Sequence, residues 1–137
     1  MVATSDGNAR LLDTIPGIAP YTALFLSSAI GDVNRFPDSK HLCACLGLVP
    51  SLHQSGDVSL TGHITKEGDR LLRRNMTECA RVAVRKDAHL RKFYVKLTRK
   101  RGEKRALTAV ARKMVAYAFW MLKRNQTYEE LSPWADS

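Results

Sequence analysis

The stretch GLVPSLHQSGDVSLTGHITKEGDRLLRR, residues 47–74, separates two parts of the chain. Up to Ile64 its polar and apolar residues mix without a helical period, whereas apolar residues on either side recur every three or four positions, as in amphipathic helices. Long irregular segments in small domains are typically functional or disordered. The sequence therefore predicts an all-α fold with one irregular Ser/Gly loop insert, residues 47–66. A small hairpin through Gly62 is left open within this loop.

Three helical patterns follow the loop and form the basic helices of residues 67–124. The first begins near Glu67, after a Thr65 cap, and buries a stripe that includes Leu72 and Met76. The second covers residues 87–100, with an apolar face opposite a basic one. The third covers residues 103–123, and Phe119 and Trp120 widen its apolar stripe. The sequence leaves two interpretations of that width, burial on two sides or a dimer contact.

The part before the loop begins with a segment, residues 1–9, that we expect to be a disordered tail. Residues 10–31 resemble a helix-hairpin-helix, in which turn glycines expose backbone N–H groups that bind a phosphate. Gly17 is the candidate phosphate-binding residue, although Ala19 stands where the motif usually has a second glycine. Packing of the two helices is an equally good interpretation of this turn.

A short helix over residues 40–46, capped by Asp38 or Ser39, is predicted to lead into the loop. Residues 125–137 form a C-terminal tail. Three apolar residues of this tail are expected to dock back or to bind a neighbouring domain: Tyr128, Leu131 and Trp134.

The chain carries a formal net charge of +9 that is unevenly distributed. Residues 1–60 contain three basic and five acidic residues, whereas the remainder contains 19 basic and 8 acidic residues. Positive charge gathered in one half is typical of proteins that bind nucleic acid. A solvated basic surface with no partner is the alternative, which we rank lower because the charge adjoins the Ser/Gly loop.

The 137 residues suit one domain, and no apolar run is long enough to span a bilayer. The first eight residues lack the apolar core of a signal peptide. We therefore expect a cytoplasmic protein with no membrane partner and with reduced thiols. Cys43 and Cys45 are interpreted as small core residues rather than as metal ligands. The acidic residues are scattered, so the sequence predicts no metal site in this chain.

The loop offers hydroxyls, and its Ser55-Gly56 pair places one hydroxyl beside a residue with no side chain. His53 and His63 flank Ser55, and a histidine can activate a serine as a general base. Contact of these histidines with solvent or phosphate is the more common situation. Taken alone, Ser-Gly is a frequent turn pair and a weak signal.

The order of the short motifs is more specific than any one of them. The chain presents in succession PGIAPYTA, IGD, RFPDSKHL, GLVPS, QSG and GHITKEGDRLLR. This series resembles the C-terminal domain of the insertion-sequence transposases of family one-ten and its relatives of family eleven-eleven. These are bridge-RNA-guided recombinases with an acidic, RuvC-like N-terminal domain. The resemblance covers residues 11–123, and we assign residues 10–124 to this domain.

The resemblance implies a serine nucleophile that attacks a DNA phosphate and forms a covalent phosphoserine. The family's Ser-Gly motif falls on Ser55, with Ser51 and Ser59 as further candidates. The following basic residues would hold the backbone of DNA or of the guide RNA: Lys66, Arg70, Arg73 and Arg74. Magnesium is expected in the RuvC-like domain, which this chain does not contain, and no cofactor is expected here. The implied partners are DNA, the guide (bridge) RNA and the RuvC-like domain.

Two other functions remain open from the sequence. The chain is either a noncatalytic DNA- or RNA-binding module, or a helical oligomerisation domain that associates through the helix of Phe119 and Trp120. A homo-oligomer is expected, and the isolated chain is expected to lack recombination activity.

Overall fold

Helices account for the architecture of the part of the protein that the computed structural model describes, residues 2–48 and 66–131, with side chains from 7–48 and 70–131. No strand occurs in these ranges, and the all-α prediction is confirmed. The helices in order are α1 (Val2–Leu12), α2 (Pro20–Ile30), α3 (Ser39–Cys45), α4 (Lys66–Lys86), α5 (Ala88–Arg101), α6 (Glu103–Arg124) and α7 (Tyr128–Leu131), with a 3-10 turn at Val33–Arg35.

Helix α6 is the central element of the described fold. It packs against α1, α3, α4, α5 and α7, so its wide apolar stripe is explained by burial on several sides. Val110, Met114 and Phe119 are completely buried in it. Trp120 is 41% exposed, so it is the member of the Phe119–Trp120 pair that remains on the surface.

The N-terminal segment differs from the expectation of a disordered tail. Residues 2–9 belong to α1, and Ala9 and Leu12 of that helix are buried in the core. The sequence contains no proline before Pro16, and Ala and Leu favour helix, so the helix extends upstream of the first apolar pair. The α1 helix packs on α2, and residues 13–19 connect them.

Two predicted helix starts are confirmed by their capping contacts. Asp38 Oδ1 accepts a hydrogen bond of 2.9 Å from the His41 N–H, which begins α3. Asp87 Oδ1 accepts a 3.1 Å hydrogen bond from the His89 N–H, which begins α5. Side-chain caps of this kind satisfy amide donors that have no partner inside the helix.

The C-terminal tail docks onto the helices at Tyr128. Its backbone N–H donates to Thr14 Oγ1 at 2.9 Å, and its hydroxyl donates to Asp87 Oδ2 at 2.5 Å. The Tyr117 and Tyr128 rings also pack edge to face, with centroids 5.9 Å apart. Helix α7 therefore ties the α1–α2 connection to the α4–α5 junction. Trp134 lies outside the described residues.

None of the helices in the described ranges combines the length and the apolar character needed to cross a membrane. The three cysteines are buried, and none of them forms a disulfide. Burial raises the pKa of the Cys43 thiol to about 11, which fits its interpretation as a core residue.

Candidate nucleic-acid interface

The loop that carries the predicted nucleophile is anchored at its first residues. Gly47 adopts a positive φ of 76°, and its N–H donates to the Ala44 carbonyl at 3.0 Å. The Leu48 N–H donates to the Cys43 carbonyl at 2.9 Å, and its side chain is buried. This arrangement ends α3 and fixes where the loop leaves the core.

The predicted nucleophile itself, Ser55, lies outside the described residues. The same holds for Ser51, Ser59, the flanking histidines, the hairpin through Gly62 and the side chain of Lys66. Their predicted roles stay predictions.

Helix α4 begins at Lys66, directly after the loop, and presents arginines within its first turns. Arg70, Arg73 and Arg74 are exposed, while Leu72 and Met76 are fully buried. Positions separated by three or four residues share a face of a helix. The three arginines therefore form a stripe on the solvent side of α4, opposite the apolar stripe. We call Arg70, Arg73 and Arg74 the α4 arginines.

The α4 arginines differ from Arg81, which lies further along the same side of the helix. Arg81 contacts Glu78 at 3.6 Å and Glu103 at 3.5 Å. Among the side chains that the structure describes, those of residues 7–48 and 70–131, no carboxylate lies within 4.0 Å of Arg70, Arg73 or Arg74. Their side chains are exposed to solvent, where an external anion can reach them, and a planar guanidinium can bind phosphate through two parallel hydrogen bonds.

Gly17 lies in the connection between α1 and α2 and is in close contact with α4. Its φ is +93°, and a Cβ placed on it would lie 2.5 Å from the Cys79 carbonyl oxygen and 2.8 Å from the Ala83 nitrogen. The absence of a side chain is therefore required for this connection to pack on α4. This contact explains the glycine structurally, and its binding of phosphate stays a prediction.

The first turn of α2 also makes polar contacts with α4. Burial raises the pKa of the Cys79 thiol on α4, and hydrogen bonding from the Thr22 hydroxyl and the Ala19 N–H partly opposes this rise. The turn that resembles a helix-hairpin-helix is thus held against α4 by side-chain and backbone contacts.

Among the described residues, no group of three or more His, Cys, Asp or Glu residues could hold a metal ion. Asp87 makes two polar contacts, since it caps α5 and accepts the Tyr128 hydroxyl. Sequence spacing does not reveal this pair, because 41 residues separate its members.

Comparison with known proteins gives the same family over most of the chain. Residues 9–95 match the Transposase IS116/IS110/IS902 family. The transposase for insertion sequence element IS1111A from Coxiella burnetii is 32% identical over 131 residues, 93% of this chain and 36% of that protein.

Two further relatives match similar shares of this chain and of their own length. The insertion element IS110 uncharacterized 43.6 kDa protein from Streptomyces coelicolor is 32% identical over 90% of this chain and 31% of its own length. The pilin gene-inverting protein from Moraxella bovis is 30% identical over 89% of this chain and 39% of its own length. The chain thus spans between 31% and 39% of the length of these relatives.

The family match begins in α1, includes the Ser/Gly loop and the α4 arginines, and ends within α5. The resemblance given by the order of the motifs is therefore confirmed, and this chain belongs to the IS116/IS110/IS902 family of insertion-sequence transposases.

Proposed function

We propose that this chain is the nucleic-acid-binding and serine-nucleophile part of an insertion-sequence transposase. It would act in DNA strand cleavage and transfer together with a RuvC-like, metal-binding domain. The observation that carries the proposal is the position of the α4 arginines, which are exposed, have no carboxylate partner among the described side chains and follow the Ser55 loop directly. At about 1.5 Å per residue, Arg70 and Arg74 lie roughly 6 and 12 Å along the helix from Lys66.

This spacing supports a role for the arginines near a reacting phosphate. In the proposed step, Ser55 Oγ forms a bond to the DNA phosphorus while the bond from phosphorus to the neighbouring deoxyribose oxygen breaks. The serine gives up its proton, and the leaving oxygen takes up a proton. Guanidinium groups beside the phosphate would stabilise the charge on its oxygens in the transition state. One phosphate ester bond forms as another breaks, so the step requires no nucleotide cofactor.

Activation of the serine would come from groups outside the described residues. A serine hydroxyl is a weak nucleophile at neutral pH and requires a base or a metal ion. Magnesium held by carboxylates of the RuvC-like domain would supply this activation. The chain's own contribution is then the nucleophile, the cationic surface and the rigid helices that carry them.

A guide RNA would select the DNA target by base pairing, so the protein would need mainly to hold backbones. Phosphate contacts position a nucleic acid without reading its sequence. Homo-oligomerisation, with Trp120 as the exposed aromatic residue of α6, is part of the proposal.

The experiment combines this chain with the RuvC-like domain of its own transposase, guide RNA, labelled DNA and magnesium. A denaturing gel then reports a covalent protein–DNA adduct. We expect Ser55→Ala to abolish the adduct and to leave DNA binding unchanged. Ser51→Ala and Ser59→Ala serve as matched controls that should retain the adduct.

The arginines are tested in the same mixture by binding. Arg73→Gln with Arg74→Gln should weaken DNA binding about tenfold or more and reduce the salt dependence, because each lost phosphate contact removes about 0.9 from the slope of log affinity against log salt. Arg81→Gln is the matched control, since Arg81 already contacts two glutamates. An adduct that persists in Ser55→Ala would overturn the assignment of the nucleophile. Absence of any adduct, when a full-length relative gives one, would favour a noncatalytic binding module.

A further inference from the structure

Helix α5 presents a second basic surface, on a different helix from the α4 arginines. Lys92, Lys96 and Lys100 are spaced four residues apart and are all exposed, and Arg99 lies beside them. We call Lys92, Lys96, Arg99 and Lys100 the α5 ridge. Leu90 on the opposite side of the helix is almost completely buried. The ridge is therefore the solvent face of an amphipathic helix that packs on α4 and α6.

The cations of the ridge have no acidic partners among the side chains that the structure describes. Helix α5 contains no Asp or Glu. No carboxylate among the described side chains, those of residues 7–48 and 70–131, lies within 4.0 Å of Lys92, Lys96, Arg99 or Lys100. Four neighbouring cations without counter-charges repel one another, so an arrangement of this kind favours binding of an anionic surface.

Arg91 is adjacent to the ridge but has a structural role. Its Nε donates to the Val84 carbonyl at 3.0 Å, and its Nη2 donates to the Arg85 carbonyl at 2.7 Å. These carbonyls belong to the last turn of α4, where backbone acceptors lack helical partners. Arg91 thus caps α4, and the ridge cations make no comparable contact in the described structure.

The aromatic residues of α5 are turned away from the ridge. Phe93 and Tyr94 are half-buried and pack against the core, and the Lys113 Nζ lies 4.8 Å from the Phe93 ring centroid. Proteins that bind single strands typically stack bases on exposed aromatic rings, and the ridge offers none. Helix α5 also contains no Asn or Gln, the residues that commonly read adenine edges.

We propose that the α5 ridge binds the phosphate backbone of a nucleic-acid double helix without reading its sequence. Lys92 and Lys100 are separated by about 12 Å along the helix axis, so the ridge can follow a run of several phosphates. The inference rests on the proposed function, because that function supplies nucleic acid as the partner. It does not depend on the Ser55 chemistry. The ridge would hold the duplex, whereas the α4 arginines would face the phosphate that reacts.

The test measures binding of the intact chain to a 30-base-pair DNA duplex of arbitrary sequence over a series of salt concentrations. Lys92→Gln with Lys96→Gln is compared with Arg10→Gln with Lys40→Gln, which removes the same charge from exposed positions on α1 and α3. Gln has nearly the helix propensity of Lys and Arg, so circular dichroism should show unchanged folding. The ridge variant should bind about tenfold or more weakly, with a salt slope lower by about 1.8.

The control pair should change affinity by less than about threefold and leave the salt slope unchanged. A second duplex of different sequence should bind equally well, and a single strand with the same number of phosphates should bind more weakly. Equal losses in the two variant pairs, or tighter binding of the single strand, would overturn the inference. The ridge variant should still form the Ser55 adduct once the complex with the RuvC-like domain, guide RNA and DNA has been assembled. That result would show that the variant has lost duplex binding but not the proposed chemistry.

Discussion

Gly17 shows how one residue determines the position of the α1–α2 connection. Its φ of +93° disfavours any side chain, and a Cβ would also meet the backbone of α4 at 2.5–2.8 Å. We expect Gly17→Ala to destabilise the protein by about 3 kcal/mol or more, since both the backbone conformation and the helix contact must change. Urea denaturation measures the free energy of unfolding.

Gly102 provides a matched control, because it has a similar φ of +91° but no neighbouring atom within 4 Å of the point that a Cβ would occupy. Gly102→Ala should cost about 1–2 kcal/mol, the cost of the backbone conformation alone. Equal losses in the two variants would show that contact with α4 is not what requires glycine at position 17.

At the scale of the residue, the sequence predicts that glycine is required at position 17 but does not give the reason. A Pro-Gly-Ile turn is compatible with phosphate binding and with close packing, and the two differ only in what lies against the glycine. The contact residues, Cys79 and Ala83, are more than 60 positions away. Such a contact becomes visible only once the helices are placed against each other.

At the scale of the elements, the long amphipathic helices follow from sequence and the short ones do not. The apolar stripes of α4, α5 and α6 predict where each helix begins to within one residue. Helix α7 has four residues, too few for a pattern, and is held by the contacts of Tyr128 with Thr14 and Asp87. The sequence left docking or an external contact open for this tail, and the structure shows docking of Tyr128.

Because α7 docks through the Tyr128 hydroxyl, we predict that the free energy of unfolding falls as the pH rises into the alkaline range. Burial, followed by the hydrogen bond to Asp87, raises the pKa of the Tyr128 hydroxyl above the usual value of 10.0. The folded protein therefore keeps this proton where the unfolded chain releases it. The resulting stabilisation is complete below pH 10 and is lost as the pH rises further, by at most about 1.4 kcal/mol per pH unit for one group.

Tyr128→Phe tests this dependence. At pH 7 it should lower the free energy of unfolding by about 1–3 kcal/mol, because the Asp87 carboxylate loses a buried donor. Between pH 10 and 11 the difference from the unsubstituted chain should shrink. Tyr21→Phe, which changes a 68% exposed residue, should leave the profile unchanged. A constant difference between pH 7 and 11 would contradict the role of the Tyr128 proton.

At the scale of the whole molecule, charge and apolar packing are divided between two sets of helices. Helices α1 to α3 contribute buried apolar residues and few cations, whereas the exposed cations are concentrated on α4, α5 and the two ends of α6. The sequence predicts this division from composition alone. It does not predict which cations form ion pairs within the protein. Arg81 is an example, because its partner Glu103 belongs to another helix.

This division predicts that the isolated chain binds DNA without cutting it. The described residues provide cations for phosphate but no group of carboxylates that could hold magnesium, and an unactivated serine reacts slowly. With magnesium and labelled duplex DNA, the 137-residue chain should retard the duplex on a native gel in a salt-dependent manner. A denaturing gel of the same samples should show neither shortened strands nor a covalent adduct.

The positive control is the same reaction with the RuvC-like domain and guide RNA added, which should restore strand cleavage. Salt-independent retardation would contradict a phosphate-based interface, since release of counterions makes such binding weaken as salt rises. Cleavage or strand transfer by the isolated chain would show that it activates its own nucleophile. The required base or metal ligands would then have to lie within this chain, and the proposed division of labour between two domains would be wrong.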